Sequence, residues 1–498
     1  TTAGPDGSVD VGDGWFAAEP NVTITATPVP GSGFGGWAGD VPAGNTNDNP
    51  LVLVMDRPRS VTANFTVSPH YVSLAGRHVW PFTSWTTAAT NIQAAVDAAA
   101  DGGTVLVSNG TYVLRSPVVV ASGVAVRSFR GAGSTTVDGN RATRCFHISH
   151  SNALVSGFTI VRGRTVQSGG GAFIDGRGTL EGCTGNDNAA TNFGGGVYCR
   201  GEGAVLNCTI SGNRSSYGGG VQCEGGGVVT GCTVSGNAAL YGAGIRCKQG
   251  GAVQGCTINN NVASSGGGGI EFVDAGTAVN CTISGNAGPY GGGVYCFNGG
   301  TVQSCTINGN TASYGGGVQC EQAGVLLNCT VIGNQATYGG GVRCLQGGLV
   351  QNCTISNNTA YAGGGAELSY DGTVANSAVV GNMATRYAGG IYCFYGGAVQ
   401  NCTISRNAAT NYAGGLFCES GGAVLNAIIY FNTASNQANS SESGAGMSYS
   451  YSCSVPLLAG VGNIAANPMF IDATRDFRLQ SASPCIDAGR NMTWMTDA

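Results

Sequence analysis

The sequence predicts an all-β solenoid in which short parallel strands wind into successive coils of about 24 residues. A 24-residue unit, for example GGGVYCFNGGTVQSCTINGNTASY at Gly291 to Tyr314, repeats with small changes from about Ser168 to about Ala434. Within each unit, apolar and polar residues alternate with the period of two that is typical of strands. Gly-rich or Asn-containing turns separate these runs and leave no room for helices, so three short strands per unit build one coil.

A column of asparagines fixes the register of the repeat. At steps of 24 or 25 residues it contains Asn188, Asn213, Asn237, Asn261, Asn286, Asn310, Asn334, Asn358, Asn382, Asn407 and Asn432. Parallel coils stack at about 4.8 Å, so each column becomes a ladder of equivalent side chains. We expect each Asn to hydrogen-bond to the Asn above and below it, which satisfies amide groups that the strands leave unpaired.

The strand alternation assigns side chains to the core or to the outside. Val294, Cys296, Cys305 and Ile307 are predicted to face the core, and Tyr295 to face outward. The outward position also repeats as Tyr, Gln, Arg and Glu every four coils, at Tyr198, Gln222, Arg246, Glu271, Tyr295, Gln319, Arg343, Glu367 and Tyr392. Two interpretations remain open: duplication of four-coil segments without function, or a surface pattern that recurs every ~19 Å.

Composition limits the class of protein. Only 9% of residues are charged, the net charge is −5 and no basic stripe occurs, so we do not expect a nucleic-acid partner. No apolar run approaches the ~20 residues of a membrane span. A surface rich in Gly, Asn, Ser and Thr favours an extracellular or cell-surface location, and we interpret the chain as a processed or cut piece of a secreted precursor. No cofactor is expected.

Four regions are predicted along the chain. They are a small all-β module at 1–67, a linker and capping helix at 68–103, the parallel solenoid at 104–480 and a C-terminal tail at 481–498. Residues 68–87 are expected to form a linker or an edge strand. Near the other end, the polar run 435–446 has little to bury, so the sequence indicates no evident cap there.

The predicted capping helix covers residues 88–101. Thr90 and Gln93 have capping-box spacing, and Gly102 is the predicted stop. An apolar face formed by Ile92, Val96 and Ala99 is expected to lie over the open end of the solenoid, where it would hide unpaired strand edges.

Four stretches resemble known bacterial families. The N-terminal stretch contains TATP at 25–28, GWAGD at 36–40, NP at 49–50 and VTANF at 61–65, and with these phrases it resembles the divergent B-repeat first described in internalins. This resemblance implies an accessory surface domain. Trp37 is expected in the core of that domain. The GGGV and CTISGN phrases are similar to repeats of polymorphic outer-membrane proteins. Segments 91–114 and 467–489 resemble the entry and closing segments of secreted β-helix proteins with the pectate-lyase-like architecture. These resemblances imply a right-handed parallel β-helix.

Two cysteine columns stand nine residues apart in the repeat, as in Cys296 and Cys305. Where a Cys is lost, its replacement is mostly apolar, which favours buried thiols that pack in the core. A disulfide framework is the alternative, because an extracellular location permits it. Metal binding is not favoured, since the array contains no His and the chain contains no C-x-x-C.

Catalytic candidates are few. A glycosidase requires two carboxyl groups about 5–10 Å apart, and carboxylates are sparse in the array. Asp138, His147 and His150, together with Arg144, form the one polar cluster that suits catalysis. We therefore expect no glycan-cleaving activity.

A tyrosine column precedes the Gly triplets and contains Tyr217, Tyr241, Tyr290, Tyr314 and Tyr338. Phe193 begins the column, and Tyr387 and Tyr412 continue it with a shift of one residue. Such a ladder is suited to binding a surface polysaccharide or another subunit. The alternative is self-stacking that stiffens the coil.

These observations predict a non-catalytic extracellular structural protein of a bacterial cell surface, which is a fibre subunit, a stalk or an adhesin. A fibre would grow by head-to-tail contacts of the chain with itself. The alternative is a carbohydrate-active enzyme, a polysaccharide lyase or glycoside hydrolase, or a polysaccharide-binding protein on a pectate-lyase-like fold.

Overall fold

The computed structural model of the protein describes residues 1–4, 7–14, 21–29, 32–474 and 476–491. Most of the chain forms a parallel β-helix of about 15 turns with ~24 residues per coil, which confirms the predicted fold class. A small β module precedes the β-helix, and one short helix lies at its N-terminal end.

Three long parallel sheets, named A, B and C, form the walls of the β-helix. Sheet A has 16 strands: His70–Val72, Thr104–Val107, Ala125–Ser128, Leu154–Ser156, Thr179–Glu181, Ala204–Leu206, Val228–Thr230, Ala252–Gln254, Thr277–Val279, Thr301–Gln303, Val325–Leu327, Leu349–Gln351, Thr373–Ala375, Ala398–Gln400, Gly422–Leu425 and Met447–Ser450. Sheet B has 15 strands: Gly110–Val113, Thr135–Asp138, Thr159–Val161, Thr184–Asn186, Thr209–Ser211, Thr233–Ser235, Thr257–Asn259, Thr282–Ser284, Thr306–Asn308, Thr330–Ile332, Thr354–Ser356, Ala378–Val380, Thr403–Ser405, Ile428–Tyr430 and Cys453–Ser454. Sheet C has 14 strands: Val118–Val120, Phe146–Ile148, Ala172–Asp175, Val197–Arg200, Val221–Glu224, Ile245–Lys248, Ile270–Asp274, Val294–Asn298, Val318–Glu321, Val342–Leu345, Ala366–Ser369, Ile391–Phe394, Leu416–Cys418 and Ser440–Glu442.

Short strands also pair along the turn between sheets B and C. Their bounds are Arg164–Thr165, Ala189–Ala190, Arg214–Tyr217, Ala238–Tyr241 and Val262–Ala263 in one group, and Thr359–Ala362, Met383–Tyr387 and Ala408–Ala409 in another. The Gly triplets follow this turn. A Cβ atom added at Gly316 would lie 2.4 Å from the carbonyl oxygen of Gly340 in the next coil, so the close approach of coils requires glycine there.

The side chains predicted to face inward do so. Val294, Cys296, Cys305 and Ile307 are at most 2% exposed, and they belong to one continuous core that runs along the β-helix. All 20 cysteines are free thiols, and all except Cys485 are buried.

The second cysteine column forms hydrogen bonds at the corner between sheets A and B. The backbone N–H of Cys281 points to Sγ of Cys305 at 3.4 Å, and that thiol lies 3.2 Å from the carbonyl oxygen of Gln303. Ser377 replaces cysteine three coils after Cys305 and makes the same two contacts, at 3.0 Å from Cys353 N and 2.7 Å from Ala375 O. This column therefore does more than the apolar packing predicted from sequence.

The asparagine ladder is confirmed and is fully bonded. Nδ2 of Asn310 donates to Oδ1 of Asn334 at 2.9 Å and to the carbonyl oxygen of Ile283 at 3.0 Å. Oδ1 of Asn310 accepts from the backbone N and Nδ2 of Asn286 at 2.9 and 3.0 Å. The same pattern extends through the buried column as far as Asn439. Each amide uses its donors and acceptors, which is what a polar group in a core requires.

A second set of asparagines occupies the left-handed region at the corner after sheet A. The NCT asparagines Asn207, Asn280, Asn328, Asn352 and Asn401 have φ values between 52° and 54°. Asn tolerates this conformation better than most residues do. Some of these side chains also bond between coils, as Nδ2 of Asn352 does to Oδ1 of Asn328 at 3.2 Å. Their place in the repeat therefore has a structural reason.

The helix Ile92–Ala98 covers the N-terminal end of the β-helix, as predicted, but its ends differ from the prediction. Asn91, not Thr90, is the N-cap, and its side chain accepts from Ala94 N at 2.9 Å. The helix stops at Ala98, before Gly102, because Ala99 is already extended.

Gln93 acts as a substitute for a missing strand. Its Oε1 accepts from Val119 N at 2.7 Å, and its Nε2 donates to Val119 O at 3.1 Å. Val119 belongs to the first strand of sheet C, so the side-chain amide satisfies an edge that would otherwise be open.

The C-terminal end is also covered, and the expectation of an uncapped end is wrong. Ile464 N donates to Ser452 O at 2.9 Å, and Tyr451 N donates to Val461 O at 2.8 Å. Leu458 packs on the main core. The polar run 435–446 contributes the last strand of sheet C, and a hairpin of Phe470–Asp472 and Asp476–Leu479 follows.

The N-terminal module has its own core. Its strands are Thr2–Ala3, Gly7–Val9, Asn21–Ile24, Ala26–Pro28, Ser32–Gly39, Leu51–Val54 and Val61–Val67. Trp37 is buried in this core, as predicted, and its Nε1 donates to Asp48 O at 2.7 Å. The strand His70–Val72 then joins sheet A as its first strand, which matches the edge strand considered for residues 68–87.

Candidate functional site

The predicted catalytic candidate Asp138 is a buried structural carboxylate. It ends a strand of sheet B and accepts from Arg162 Nε at 3.0 Å and from Asn140 N at 2.8 Å. Burial acts to raise the pKa of Asp138, but the hydrogen bonds from Arg162 and Asn140 outweigh it, and the pKa is lowered. The carboxylate is therefore held ionised as the partner of Arg162.

His147 lies on sheet C, in different surroundings. Its ring stacks on Phe173 with centroids 4.9 Å apart, and its buried Nε2 has no hydrogen-bond partner among the described residues. Burial and the nearby Arg144 guanidinium lower the pKa of His147. His150 follows the strand, where its Nδ1 accepts from Asn152 N at 3.2 Å.

One surface cavity includes part of this predicted cluster. It has a volume of about 640 Å³, and its lining includes Arg141, Arg144, His147, Arg164 and Phe173. The residues that line it include no carboxylate. The structure thus brings His147 and Arg144 together, while Asp138 bonds to Arg162 and His150 occupies the next turn. A pair of carboxyl groups, as glycoside hydrolysis requires, is not part of this cavity.

The four-coil column on the outer side of sheet C is buried except for the half-buried Arg343, which corrects its interpretation as a surface pattern. Gln222 and Gln319 are 0% exposed, Glu271 and Glu367 are 3% exposed, and Tyr295 is 8% exposed. The tyrosine ladder of the adjacent turn covers the column. Arg246 lies 4.9 Å from the ring centroid of Tyr217, and Tyr295 stacks on a ladder tyrosine as well.

The buried tyrosines of this column also explain the positions of two carboxylates of the array, Glu224 and Glu419. Tyr198 donates its hydroxyl to Glu224 at 2.8 Å, and Tyr392, eight coils later, donates its hydroxyl to Glu419. Burial is the main reason that the pKa of Tyr392 is raised, and the bond to Glu419 adds to it. These glutamates are acceptors for buried phenols, so their spacing follows from the tyrosine period.

The tyrosine ladder is real but interrupted. Tyr217 and Tyr241 stack at 5.3 Å, and Tyr290, Tyr314 and Tyr338 stack at 5.7 Å. After a gap, the ladder resumes with Tyr387 and Tyr412, which lie in the same column because a one-residue bulge absorbs the shift seen in the sequence. The two gaps fall at Gly266 and Ala362, and each gap lies in a coil that carries a buried glutamate.

The first gap is filled by its own glutamate. Oε1 of Glu271 accepts from Arg246 Nε at 2.9 Å, and Oε2 accepts from Gly267 N at 3.0 Å. A Cβ atom at Gly266 would lie 2.3 Å from that Oε2. The carboxylate therefore occupies the place of a ladder side chain, and both of its oxygens are bonded.

The second gap is built differently. Ala362 brings a Cβ atom to the position equivalent to Gly266, and Gly363 N is bonded to Tyr387 O at 3.0 Å. Oε1 of Glu367 accepts from Ser369 Oγ at 2.7 Å, whereas Oε2 of Glu367 accepts no hydrogen bond from any residue that the structure describes. Arg343 Nε lies 3.2 Å from that Oε2 but is not aligned for a hydrogen bond.

A cavity of about 560 Å³ opens at this second gap. Its aromatic lining is Tyr314, Tyr338, Tyr361, Tyr370, Tyr387, Tyr392 and Phe394. Two arginines, Arg343 and Arg386, and two glutamates, Glu367 and Glu419, complete the charged lining. We name this space the Ala362 cavity. It combines apolar ring faces with a buried carboxylate oxygen that has an ion pair with Arg343 but no hydrogen bond from the described residues, which is a chemistry suited to binding a ligand.

Only part of this site was predicted from sequence. Tyr314 and Tyr338 were predicted as possible contacts, but Tyr361, Glu367 and Arg386 were not. The sequence does carry a signal for the gaps, because the ladder tyrosine is lost in the coils that have Glu271 and Glu367 in the outer column. Tyr217 and Tyr241 remain predicted contacts, and they lie away from the Ala362 cavity.

Two family models match the sequence. Residues 1–69 match the divergent InlB B-repeat domain, and residues 144–312 match the right handed beta helix region. No curated protein matches the sequence. Among the described residues, no helix has the length and hydrophobicity of a membrane span. In the same residues, no group of three or more His, Cys, Asp or Glu is arranged to hold a metal ion.

Solved structures that match this chain have low sequence identity to it. The Dettilon tailspike protein gp208 is 13% identical, with 75% of this chain and 68% of that chain covered and a TM-score of 0.33. Pectate lyase Pel9A is 12% identical, with coverage of 86% and 93% and a TM-score of 0.28. PfbA, a surface adhesin of Streptococcus pneumoniae, is 11% identical, with coverage of 72% and 89% and a TM-score of 0.25.

The register of sheets A, B and C and the two family matches agree on the architecture. The chain folds as a right-handed parallel β-helix, preceded by a small β module that matches the divergent InlB B-repeat domain.

Proposed function

We propose that the protein is a non-catalytic extracellular structural protein, a rigid stalk or adhesin of a bacterial surface. The observation that carries this proposal is the fully bonded asparagine ladder. It runs without a break from Asn188 to Asn439, so it holds successive coils in one register along most of the β-helix. Fifteen strands of sheet B at about 4.8 Å spacing give a rod of about 65–70 Å.

Covered ends favour a stalk or adhesin over a fibre. Gln93 closes the first strand of sheet C, and the segment that contains Ile464 closes the last strand of sheet B. A fibre that grows by adding strands head to tail needs open edges at both ends. The divergent B-repeat domain fits the same role, since a separate module at one end can hold the rod in place.

The catalytic alternative receives less support from the geometry. Asp138 is paired with Arg162, and Glu224 and Glu419 accept hydrogen bonds from buried tyrosines. Each of these carboxylates therefore already has a structural partner. A carbohydrate-active enzyme needs carboxyl groups that are free to exchange protons with the substrate.

The test combines electron microscopy with light scattering and activity assays on the full chain. We expect isolated rods with a β-helical part of about 65–70 Å and no concentration-dependent growth. We also expect no product from pectin, alginate or neutral polysaccharides. Long end-to-end fibres would favour the fibre subunit instead. Polysaccharide cleavage that is lost in Asp138→Asn or His147→Ala would establish the enzyme alternative.

A further inference from the structure

We propose that the Ala362 cavity binds one unit of a neutral saccharide. This inference goes beyond the structural role proposed above and does not depend on it. The comparison of the two ladder gaps provides the first argument. At the first gap, Glu271 is bonded through both carboxylate oxygens, so the protein satisfies the site itself. At the second gap, Glu367 keeps one oxygen unbonded although the residue is only 3% exposed.

Three changes between the gaps account for this difference. Ala362 stands where Gly266 leaves room for a carboxylate, and the backbone N–H of Gly363 bonds to Tyr387 O. Ser369 then draws Oε1 of Glu367 to itself at 2.7 Å. A buried acceptor that lacks a hydrogen bond costs about 1–3 kcal/mol. The ion pair with Arg343 Nε at 3.2 Å offsets part of this cost, and Oε2 of Glu367 gains further from a ligand that brings an aligned donor to it.

The walls of the cavity define the shape of that ligand. Arg386 packs on the rings of Tyr361 and Tyr387, with its Cζ 5.6 and 4.8 Å from their centroids. Tyr361 in turn meets Tyr338 and Tyr387 edge to face, at 6.0 and 6.5 Å. This arrangement leaves aromatic surface around a gap in the ladder. Its volume of about 560 Å³ is within the range of roughly 300–1,000 Å³ typical of ligand pockets.

The charges of the side chains that line the Ala362 cavity indicate which class of ligand it binds. The two arginines and two glutamates of the lining sum to zero formal charge. An anionic ligand would meet Glu367 and Glu419, and a cationic ligand would meet Arg343 and Arg386. A neutral ligand with hydroxyl donors and an apolar ring face satisfies Oε2 and the aromatic walls together. A neutral sugar ring has these properties, since its hydroxyl groups donate and its C–H face packs on aromatic rings.

The experiment measures binding of defined tetrasaccharides to the full-length protein by calorimetry. Cellotetraose, maltotetraose, mannotetraose and N-acetylchitotetraose are the neutral probes, and tetragalacturonate is the acidic probe. We expect at least one neutral probe to bind and the acidic probe to bind at least tenfold more weakly. Absence of binding by every neutral probe at millimolar concentration, or preferential binding of tetragalacturonate, would overturn the proposal.

Matched variants locate the site. Tyr361→Ala is expected to weaken binding at least tenfold, and Glu367→Gln at least fivefold. Their controls are Tyr217→Ala and Glu271→Gln, which make the same changes in the ladder and at the closed first gap, and these should alter binding less than twofold. Circular dichroism checks that all four variants fold. If a variant does not fold, protection of Tyr361 from hydroxyl radicals by the bound probe gives the same information, and no protection contradicts the proposal.

Discussion

Removal of one asparagine from the ladder tests the main source of rigidity in the β-helix. In Asn310→Ala, the side chain that joins three coils is lost, while the apolar core around it is unchanged. Four hydrogen bonds of 2.9–3.0 Å disappear, two to Asn286, one to Ile283 and one to Asn334.

The expected loss of stability in Asn310→Ala follows from the polar groups that lose hydrogen bonds and from those that keep one. The backbone N–H of Asn286 loses its acceptor in a buried site, which costs about 1–3 kcal/mol. The other three bonds contribute about 0.5–1.5 kcal/mol each in net terms, and one of the affected groups, Oδ1 of Asn334, keeps its bond from the backbone of residue 310. We therefore expect the free energy of unfolding to fall by about 2.5–7.5 kcal/mol.

The assay combines urea unfolding with hydrogen exchange, because a solenoid can open locally without unfolding as a whole. Exchange should accelerate in the coils around residues 283–334 and remain slow near the N-terminal helix. The control is Asn308→Ser, since Ser284 already occupies the equivalent position of the preceding coil. If Asn310→Ala and the control differ by less than about 0.5 kcal/mol, the ladder does not stabilise the rod as argued.

Three further predictions concern other parts of the chain. Ser304 has a φ of 52°, and the equivalent position of the preceding coil is Asn280, a residue type that tolerates this conformation. Ser304→Asn should therefore raise the free energy of unfolding by about 0.5–1 kcal/mol. A lower free energy of unfolding in a urea titration would contradict this prediction. A hydrogen bond with Cys485 lowers the pKa of Cys453 to about 7. Mild oxidation near neutral pH should therefore form a disulfide between these two cysteines first. Peptide mapping that finds disulfides among the core cysteines instead would refute this prediction. In the folded protein the pKa of Asp138 is lowered from its ordinary value of 3.8. The ionised carboxylate therefore stabilises the fold at pH values above 3.8, and this stabilisation is lost as the pH falls through the folded pKa. Asp138→Asn should therefore be less stable than the parent protein at pH 7, with a deficit that shrinks in acid; an equal deficit in urea unfolding at both pH values would be the opposite result.

The repeat made the fold predictable, because one register fixes every coil. Once the asparagine column was aligned, the inward positions of Val294 and Ile307 followed from strand alternation alone. The ends were less predictable, because they depend on single side chains. Gln93 closes a strand edge that helix periodicity does not reveal, and the segment around Ile464 has no repeat to mark it.

The candidate site was predicted only in part, for a related physical reason. Alternation tells which side of a sheet a residue faces, but it does not tell whether another turn covers that side. Glu271 and Tyr295 were correctly placed on the outer side of sheet C, yet the tyrosine ladder buries them. Whether a buried carboxylate is fully bonded then depends on a few local details: Ala362 in place of Gly266, the bond of Gly363 N to Tyr387 O, and the hydroxyl of Ser369.

The two gaps also indicate a difference in role between the duplicated four-coil segments, which duplication alone does not explain. A four-coil segment carries a Tyr, Gln, Arg and Glu column, and each copy loses one ladder tyrosine where the Glu lies. In one copy the space is closed by Glu271 and held by Arg246, which gives a continuous surface. In the other copy the same elements leave an open cavity, and one oxygen of Glu367 accepts no hydrogen bond from the described residues. A duplicated rod can thus keep one copy for stiffness while the other acquires a ligand, because the asparagine ladder holds both in register.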